Sequence, residues 1–534
     1  MCGIQVLVSR KDVTLDDKYN EIWNKASEFN SKRGPDCSGS FASTLEVAGV
    51  EYLLDFKAFV LSLRGQITEQ PLYDPKSLDL FLWNGEVFDG LKVDFDKNDG
   101  SELFKAILQN NSDESSILSD DGKVAIISST SFKDCESGFW DEVPSPFIYC
   151  LDFNELANKE IPLSNALKTF EWAYGSRMDK PEQLILPFRE IQLEPEHSTI
   201  EETHFKSDVD INEYLKDSDS QQYVESLKNM MMDSLRRRIL SSVNSEFAVL
   251  FSGGLDCMVL AALMDSIVPK DKPIELINVA FANPRILKSR TKQNKRGPGN
   301  IAPKVNEYDV PDRKTGLVGV SELRECFPER KWLWIEVNVP FEQAQAEKSH
   351  IIDLLGPNYT VMDLSIGMAL WFAAKGEGEM FSSGNCNPVE NYRSNSKVLI
   401  LGMGADEQFG GYSRHRKAFE MGGIKQLSTE IKFDVERISK RNLGRDDRII
   451  ADHGREARFP YLDEQLVDFL SSVPIQRKMD MRLPKGLGDK LLLRMLAYSL
   501  NLKVASRQVK RAIQFGARTA KMESSKDRGA DLIE

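Results

Sequence analysis

Residues 247–257 read Phe-Ala-Val-Leu-Phe-Ser-Gly-Gly-Leu-Asp-Cys. The five apolar residues that open the stretch suit a strand buried on both faces, and Ser252-Gly253-Gly254 turns the chain into a helix. Backbone N–H groups and a helix N-terminus then converge on one point, which makes a site for an anion. It is not a Walker A loop, because the Gly-Lys-Ser/Thr ending is missing. Outward from this stretch, helix and strand patterns alternate: helices over 223–240 and 257–265, strands over 247–251 and 274–281. Such alternation predicts a parallel sheet covered by helices, a doubly wound α/β domain.

Residues 398–412 read Val-Leu-Ile-Leu-Gly-Met-Gly-Ala-Asp-Glu-Gln-Phe-Gly-Gly-Tyr. A second buried strand delivers a turn carrying Asp406 and Glu407, carboxylates suited to hard magnesium beside a phosphate. Asp256, just past the first turn, can face the same ion.

The first 150 residues are different. Short β-rich runs over 4–8, 58–63, 80–83 and 124–128, with one helical pattern over 101–109, predict an α+β domain. Cys2 stands at its head. Removing Met1 would put a thiol and a free α-amine on one residue, and the amine can act as the thiol's general base; taken alone, a chance cysteine explains Cys2 better. Between about 155 and 210 the chain is rich in Pro, Glu and Lys and weakly periodic, as expected of a connector.

The 534 residues include 69 Lys and Arg against 82 Asp and Glu, a net charge of -13, with 41% hydrophobic residues. This excludes disorder as the main theme and disfavours a charge-driven nucleic-acid or membrane binder. Residues 284–304 are an exception, with seven Lys or Arg and no acid; the stretch reads as a solvated loop or, over 285–304, an arm for RNA. Seven cysteines without a CxxC give no zinc spacing, and no apolar run is long enough for a membrane span. The expected compartment is the reducing cytosol. Nothing in the sequence specifies an oligomeric state.

Cys2, Arg33-Gly34-Pro35-Asp36, Leu63-Arg64-Gly65, Gln70-Pro71-Leu72, Trp83-Asn84-Gly85-Glu86 and Asn98-Asp99-Gly100 follow in an order that resembles the class II, N-terminal-nucleophile glutamine amidotransferases. The resemblance implies an α/β/β/α amidohydrolase over residues 2–160, with Cys2 as nucleophile and Asn84 and Gly85 as oxyanion hole. Glutamine would be held by Arg64, Asn84, Gly85, Glu86 and Asp99, or by Gly100 in place of Asp99. An Arg fork suits a carboxylate, and amide donors suit an oxyanion.

The two later motifs are similar to the pyrophosphate loop of ATP-pyrophosphatases and, in their order, to the synthetase domain of glutamine-dependent asparagine synthetase. That domain would cover 215–534, after a connector over 161–214. The resemblance implies ATP on Phe251, Ser252, Gly253, Gly254, Asp256, Cys257, Val279, Gly402 and Met403. It implies Mg²⁺ on Asp256 and Asp406, and Lys490 as the cation near the α-phosphate. Pro311-Asp312 resembles the family's Ser-Pro-Asp element, and 442–448 and 456–463 follow its helix that brings an Arg and a Glu toward the active site. The implied reaction releases ammonia from glutamine, passes it through an interdomain channel, and amidates an adenylated carboxylate, by family resemblance aspartate. Alternatives are another carboxylate or RNA as acceptor, or a nucleotide-binding scaffold without synthetase activity. Strings at 81–86, 363–367, 411–416 and 511–516 look like a divergent branch of the family.

Several positions depart from the family. Met403 stands where a Glu accepts a proton from ammonia, and a thioether cannot act as that base. Met362-Asp363-Leu364-Ser365 replaces Thr-Thr-x-Arg, so an Arg for the substrate's carboxylate is lost, and Cys257 replaces a Ser. Between 118 and 124 a strand pair of the family is missing, which predicts a shortened, open-edged N-terminal sandwich.

Overall fold

The computed structural model describes residues 2–13, 17–94, 96–110, 124–130, 147–151, 153, 167–174, 184–191, 210–242, 246–282, 306–357, 359–382, 387–521 and 531–533. The basic stretch 285–304 and the segment 118–123 lie outside the described residues.

The N-terminal strands are β1 (Gly3–Arg10), β2 (Cys37–Val47), β3 (Val50–Val60), a two-residue pair β4 (Leu72–Tyr73) and β5 (Leu80–Phe81), and β6 (Val124–Ser128). Four of them form an antiparallel sheet in the order β2-β3-β1-β6. Alternation along β1 sends its side chains to two different layers. Gln5 and Leu7 face the helix Asp17–Arg33, where the Gln5 amide donates to Trp23 O at 2.7 Å and Leu7 packs on Trp23. Val6 and Val8 pack on the other side with Tyr52, Leu54 and Leu151. Leu151 ends β7 (Phe147–Leu151), which pairs with β8 (Leu167–Ala173), itself beside β9 (Leu184–Ile185). Part of the stretch read as a connector is thus strand. The helix Asp17–Arg33 is a second correction, since only the helix found at Asp99–Asn110 was expected here. Its apolar stripe, Ile22, Trp23, Ala26 and Phe29, is narrow, and the remaining positions are largely polar.

The second sheet contains β10 (Phe247–Leu250), β11 (Ile274–Phe281), β12 (Trp332–Val339), β13 (Glu377–Ser382), β14 (Val389–Arg393), β15 (Val398–Ile400) and β16 (Glu456–Arg458). Their order is β14-β13-β12-β11-β10-β15-β16. The run from β12 to β16 is parallel, whereas β13 and β14 add an antiparallel edge that the sequence did not announce. Phe247 and Val249 of β10 pack in a core that includes Leu260 and Leu492, and Ala248 faces an opposite core with Met368 and Ile449. Burial on both faces explains the unbroken apolar reading of that strand. Ile22, Ala26 and Phe29 of the N-terminal helix belong to this second core, so the two halves of the chain share it.

The chain order reverses beside β10, with β11 and β12 on one side and β15 and β16 on the other. At such a switch point a crevice opens at the carboxyl ends of the strands. The Ser252 turn follows β10 and the Gly402 turn follows β15, so the topology brings both motifs to that crevice. Among the described residues no helix is long and apolar enough to cross a membrane.

Candidate active sites

Past β10 the chain turns sharply. Gly253 has φ +75°, and a Cβ there would lie 2.2 Å from Thr315 O. Thr315 anchors the turn by donating its hydroxyl to Ser252 O at 2.7 Å. Helix Leu255–Met264 starts at Gly254, whose missing side chain leaves the terminal N–H groups to an incoming anion. Cys257 turns inward, with its Sγ 3.1 Å from Gly254 O, and burial pushes the thiol up to about 11.

The Gly402 turn comes close behind: a Cβ on Gly402 would lie 2.9 Å from that of Asp256. Helix Ala405–Phe409 then buries Asp406 and Glu407. Lys490 arrives from far along the chain, in the left-handed region at φ +56° and capping helix Leu491–Ser499. Its ammonium lies 2.7 Å from Asp256 and 2.6 Å from Asp406. Lys510 meets the other Asp406 oxygen at 2.5 Å. Burial by itself would lower the Lys490 pKa, but the two carboxylates outweigh it and raise it. Burial likewise opposes the charge on Asp406, yet Lys490 and Lys510 hold its pKa below the usual carboxylate range. Glu407 is raised by burial and then by Asp406; its Oε1 accepts from Tyr412 OH at 2.6 Å and Asn442 Nδ2 at 3.0 Å.

These groups wall a cavity of about 360 Å³, into which Phe251, Ser252, Gly254, Asp256, Cys257, Val279, Gly402, Met403, Asp406 and Lys490 all contribute. Gly253 stands behind it, against Thr315. Asp312 also lines the cavity; burial pushes its carboxyl up to about 6 although Arg511 lies at 3.4 Å. Further cations come with their own acids. Arg414 and Arg437 both meet Asp434 at 2.5 Å, Arg445 meets Asp363 at 2.6 Å and Asp446 at 2.8 Å, and Arg494 meets Asp489 at 2.5 Å. Lys510, Tyr412 and Asn442 were not singled out from the sequence. Tyr412 stands in the quoted strings 398–412 and 411–416 and Asn442 in 442–448, whereas Lys510 stands in none.

A fit to magnesium can be judged from the carboxylates. Oxygens of Asp256 and Asp406 converge on one ammonium, so the pair can share a cation, and among the described residues no third His, Cys, Asp or Glu joins them as a metal cluster. Two carboxylates completed by phosphate and water suit magnesium, which keeps several waters. For that ion to enter, Lys490 must release one or both acids.

The N-terminal residues gather at a second place. Cys2 is buried, with Sγ 4.0 Å from Leu61 O, and burial pushes its thiol up. Arg33 donates to Cys2 O at 3.2 Å. Asn84 donates to Ser129 Oγ at 3.2 Å, and the same oxygen accepts from Ile4 N at 3.0 Å, which ties Asn84 to the strand that begins beside Cys2. Gly85 packs under the Trp83 ring. Arg64 and Asp99 hold the following loop: Arg64 donates to Val87 O at 3.3 Å and Val93 O at 2.5 Å, and Asp99 accepts from Val87 N at 2.8 Å and Gly100 N at 2.9 Å. Glu86 lies 3.7 Å from Arg64, and burial pushes its carboxyl up to about 8.

The second sheet reaches this loop. Arg458, at the end of β16, lies 3.7 Å from Glu86 and 2.6 Å from Glu456, and its guanidinium stands 5.3 Å from the Phe88 ring. Arg238 approaches the same ring at 4.8 Å, and Gln465 donates to Asp89 at 3.1 Å.

The crevice lies at the switch point of a mixed α/β sheet, and the Asparagine synthase family model matches residues 420–534, so the chain carries an asparagine synthase-type domain, of a family that binds ATP. The chain is similar to asparagine synthetase domain-containing protein 1 of Mus musculus, 34% identical over 647 residues of alignment that cover 99% of each chain. It is 33% identical to the Homo sapiens protein of the same name over 99% of this chain and 97% of the relative. It is 36% identical to asparagine synthetase domain-containing protein YML096W of Saccharomyces cerevisiae over 58% of this chain and 55% of the relative. The chain belongs to the asparagine synthetase domain-containing protein 1 family.

Proposed function

We propose that the chain is a glutamine-dependent ligase that consumes ATP to AMP and pyrophosphate, with residues 2–160 an α/β/β/α glutaminase and 215–534 an ATP-pyrophosphatase. The observation that carries the reading is the convergence of the Ser252 turn, Lys490, Asp256 and Asp406 in one cavity at the switch point.

In the glutaminase, with Met1 removed, the Cys2 thiol passes its proton to its own α-amine and attacks the carboxamide carbon; the amine hands that proton to the leaving nitrogen, ammonia departs and a Cys2 thioester remains, which water then hydrolyses to glutamate and the free thiol. Asn84 and Gly85 receive the oxyanion, while Arg64, Glu86 and Asp99 bind the glutamine carboxylate and amine. Ammonia then crosses between the two halves. In the second site the Ser252–Gly254 turn and the following helix N-terminus take the phosphates of ATP, and the apolar wall at Val279 takes the adenine. Asp256 and Asp406 would hold magnesium, which neutralises phosphate charge when bound. An acceptor carboxylate oxygen attacks the α-phosphorus and pyrophosphate leaves, with Lys490 stabilising the charge that develops. Ammonia attacks the acyl carbon, AMP leaves, and the proton shed by the nitrogen passes to water or to the departing phosphate, since Met403 cannot take it. By family resemblance the acceptor is aspartate, the product asparagine and the compartment the cytosol. With Met403 in place of a base, ammonia transfer loses a contribution of roughly 10²- to 10⁴-fold in rate unless another group takes the proton.

The test is pyrophosphate and glutamate release by the purified protein with glutamine, ATP, Mg²⁺ and aspartate. Wild type should release both, and Cys2→Ala should form amide only with added ammonium. Neither product from wild type under any of these conditions sinks the reading.

A further inference from the structure

We propose that Arg441 selects the acceptor at the ATP site by clamping a second carboxylate, one the acceptor carries besides the carboxylate that is activated. The proposal rests on the ligase reading above and names its acceptor class, a small dicarboxylate.

Among the described residues eight cationic side chains line the cavity, and seven of them already face an acid, as described for Lys490, Lys510, Arg414, Arg437, Arg445, Arg494 and Arg511. Arg441 is the eighth, and its guanidinium has no acid partner among the described residues. A paired Arg must give up its own acid before it can take a ligand's carboxylate, and breaking such a partly buried pair is costly. Arg441 needs no exchange. Its planar fork matches a carboxylate with two parallel hydrogen bonds.

Its place in the cavity fits an acceptor contact. Arg437, Arg441 and Arg445 recur every four residues and all three line the cavity. Between the outer two, the π-helical turn Ser439–Leu443 carries Arg441, and π turns of this kind often occur at functional sites. The neighbour on one side, Asn442, donates to Glu407 at 3.0 Å on the turn with the paired carboxylates. One turn on, Arg445 meets Asp363, within the 362–365 stretch where the family's Arg is missing. Arg441 is therefore bracketed by contacts to the carboxylate turn and to the departed motif. Arg445 cannot substitute for it, because Asp363 and Asp446 both hold it.

The experiment is calorimetric titration of succinate, L-aspartate and butyrate into full-length protein saturated with Mg²⁺ and α,β-methylene-ATP. Wild type, Arg441→Ala and Arg441→Lys are compared. Wild type should bind both dicarboxylates about tenfold or more tighter than butyrate, in line with a charged hydrogen-bonded pair. Arg441→Ala should lose that preference, Arg441→Lys should recover part of it, and all three should bind the ATP analogue alike. Equal dicarboxylate affinity in wild type and Arg441→Ala overturns the assignment. So does a nucleotide-bound wild type that takes up no dicarboxylate, and so does a loss of analogue binding in Arg441→Ala, which would put Arg441 on the phosphates. If wild type does not bind the analogue, the ligase reading fails and the clamp falls with it.

Discussion

Lys490 sits in a backbone conformation that residues with a Cβ rarely adopt, and its ammonium bridges Asp256 and Asp406. Removing it leaves two acids facing each other in a buried wall. Lys490→Ala should therefore unfold at a lower temperature than wild type and gain more from added Mg²⁺, as followed by thermal denaturation with and without the ion. An equal response of both proteins would contradict the magnesium assignment. The pyrophosphate-release rate of the variant should fall by about two orders of magnitude or more, the scale of losing one preorganised charge contact. Glu86 makes a pH prediction. Burial raises its carboxyl from 4.5 to about 8, so the folded state holds the proton more tightly than the unfolded one. Its contribution to stability is present below pH 4.5 and is lost as pH rises through about 8. Only the ionised form can pair with the glutamine amine, so KM for glutamine should fall as pH climbs from 7 toward 9. Glu86→Gln should flatten that profile, and an unchanged profile would remove Glu86 from the glutamine site.

At the scale of elements, the turns after β10 and β15 place the cavity. Gly253→Ala adds a Cβ 2.2 Å from Thr315 O at φ +75°, so the turn must move. The expected result is a KM for ATP raised about tenfold or more and a stability loss of about 1–3 kcal/mol. Unaltered nucleotide kinetics would show that this turn does not hold phosphate. The turns were legible in the sequence because a tight strand-to-helix connection demands glycine at fixed positions, and 252–257 and 402–407 supply it. Parallel strands were legible for a similar reason, since burial on both faces leaves an unbroken apolar run. Helix Asp17–Arg33 was not, because its apolar face is only four residues wide amid polar ones. The cavity positions of Lys510, Tyr412 and Asn442 were also hidden, although the last two stand in quoted strings. Their place in the cavity depends on where distant segments return to the crevice, which local pattern does not encode. The string 456–463 was read with the family helix that brings an Arg and a Glu toward the active site, and β16 directs Arg458 to Glu86 and Phe88 of the N-terminal loop.

For the whole molecule, the two halves are joined by more than a connector. Ile22, Ala26 and Phe29 of the first half complete a core of the second sheet, and Arg33 reaches Asp447 at 2.8 Å. The loop after Asn84 and Gly85 is gripped by Arg238, Arg458 and Gln465. Leu401, one residue before the Gly402 turn, donates its N–H to Arg458 O at 3.0 Å. The loop after Gly85 and the Gly402 turn are thus two contacts apart, a proximity that the proposed coupling of the two reactions would use. The most direct measurement is pyrophosphate release from ATP by the full-length wild-type protein with and without aspartate, with Lys490→Ala as control. The account predicts release that rises with aspartate and is lost in Lys490→Ala. Release indifferent to aspartate and to Lys490, or no release at all, would contradict it.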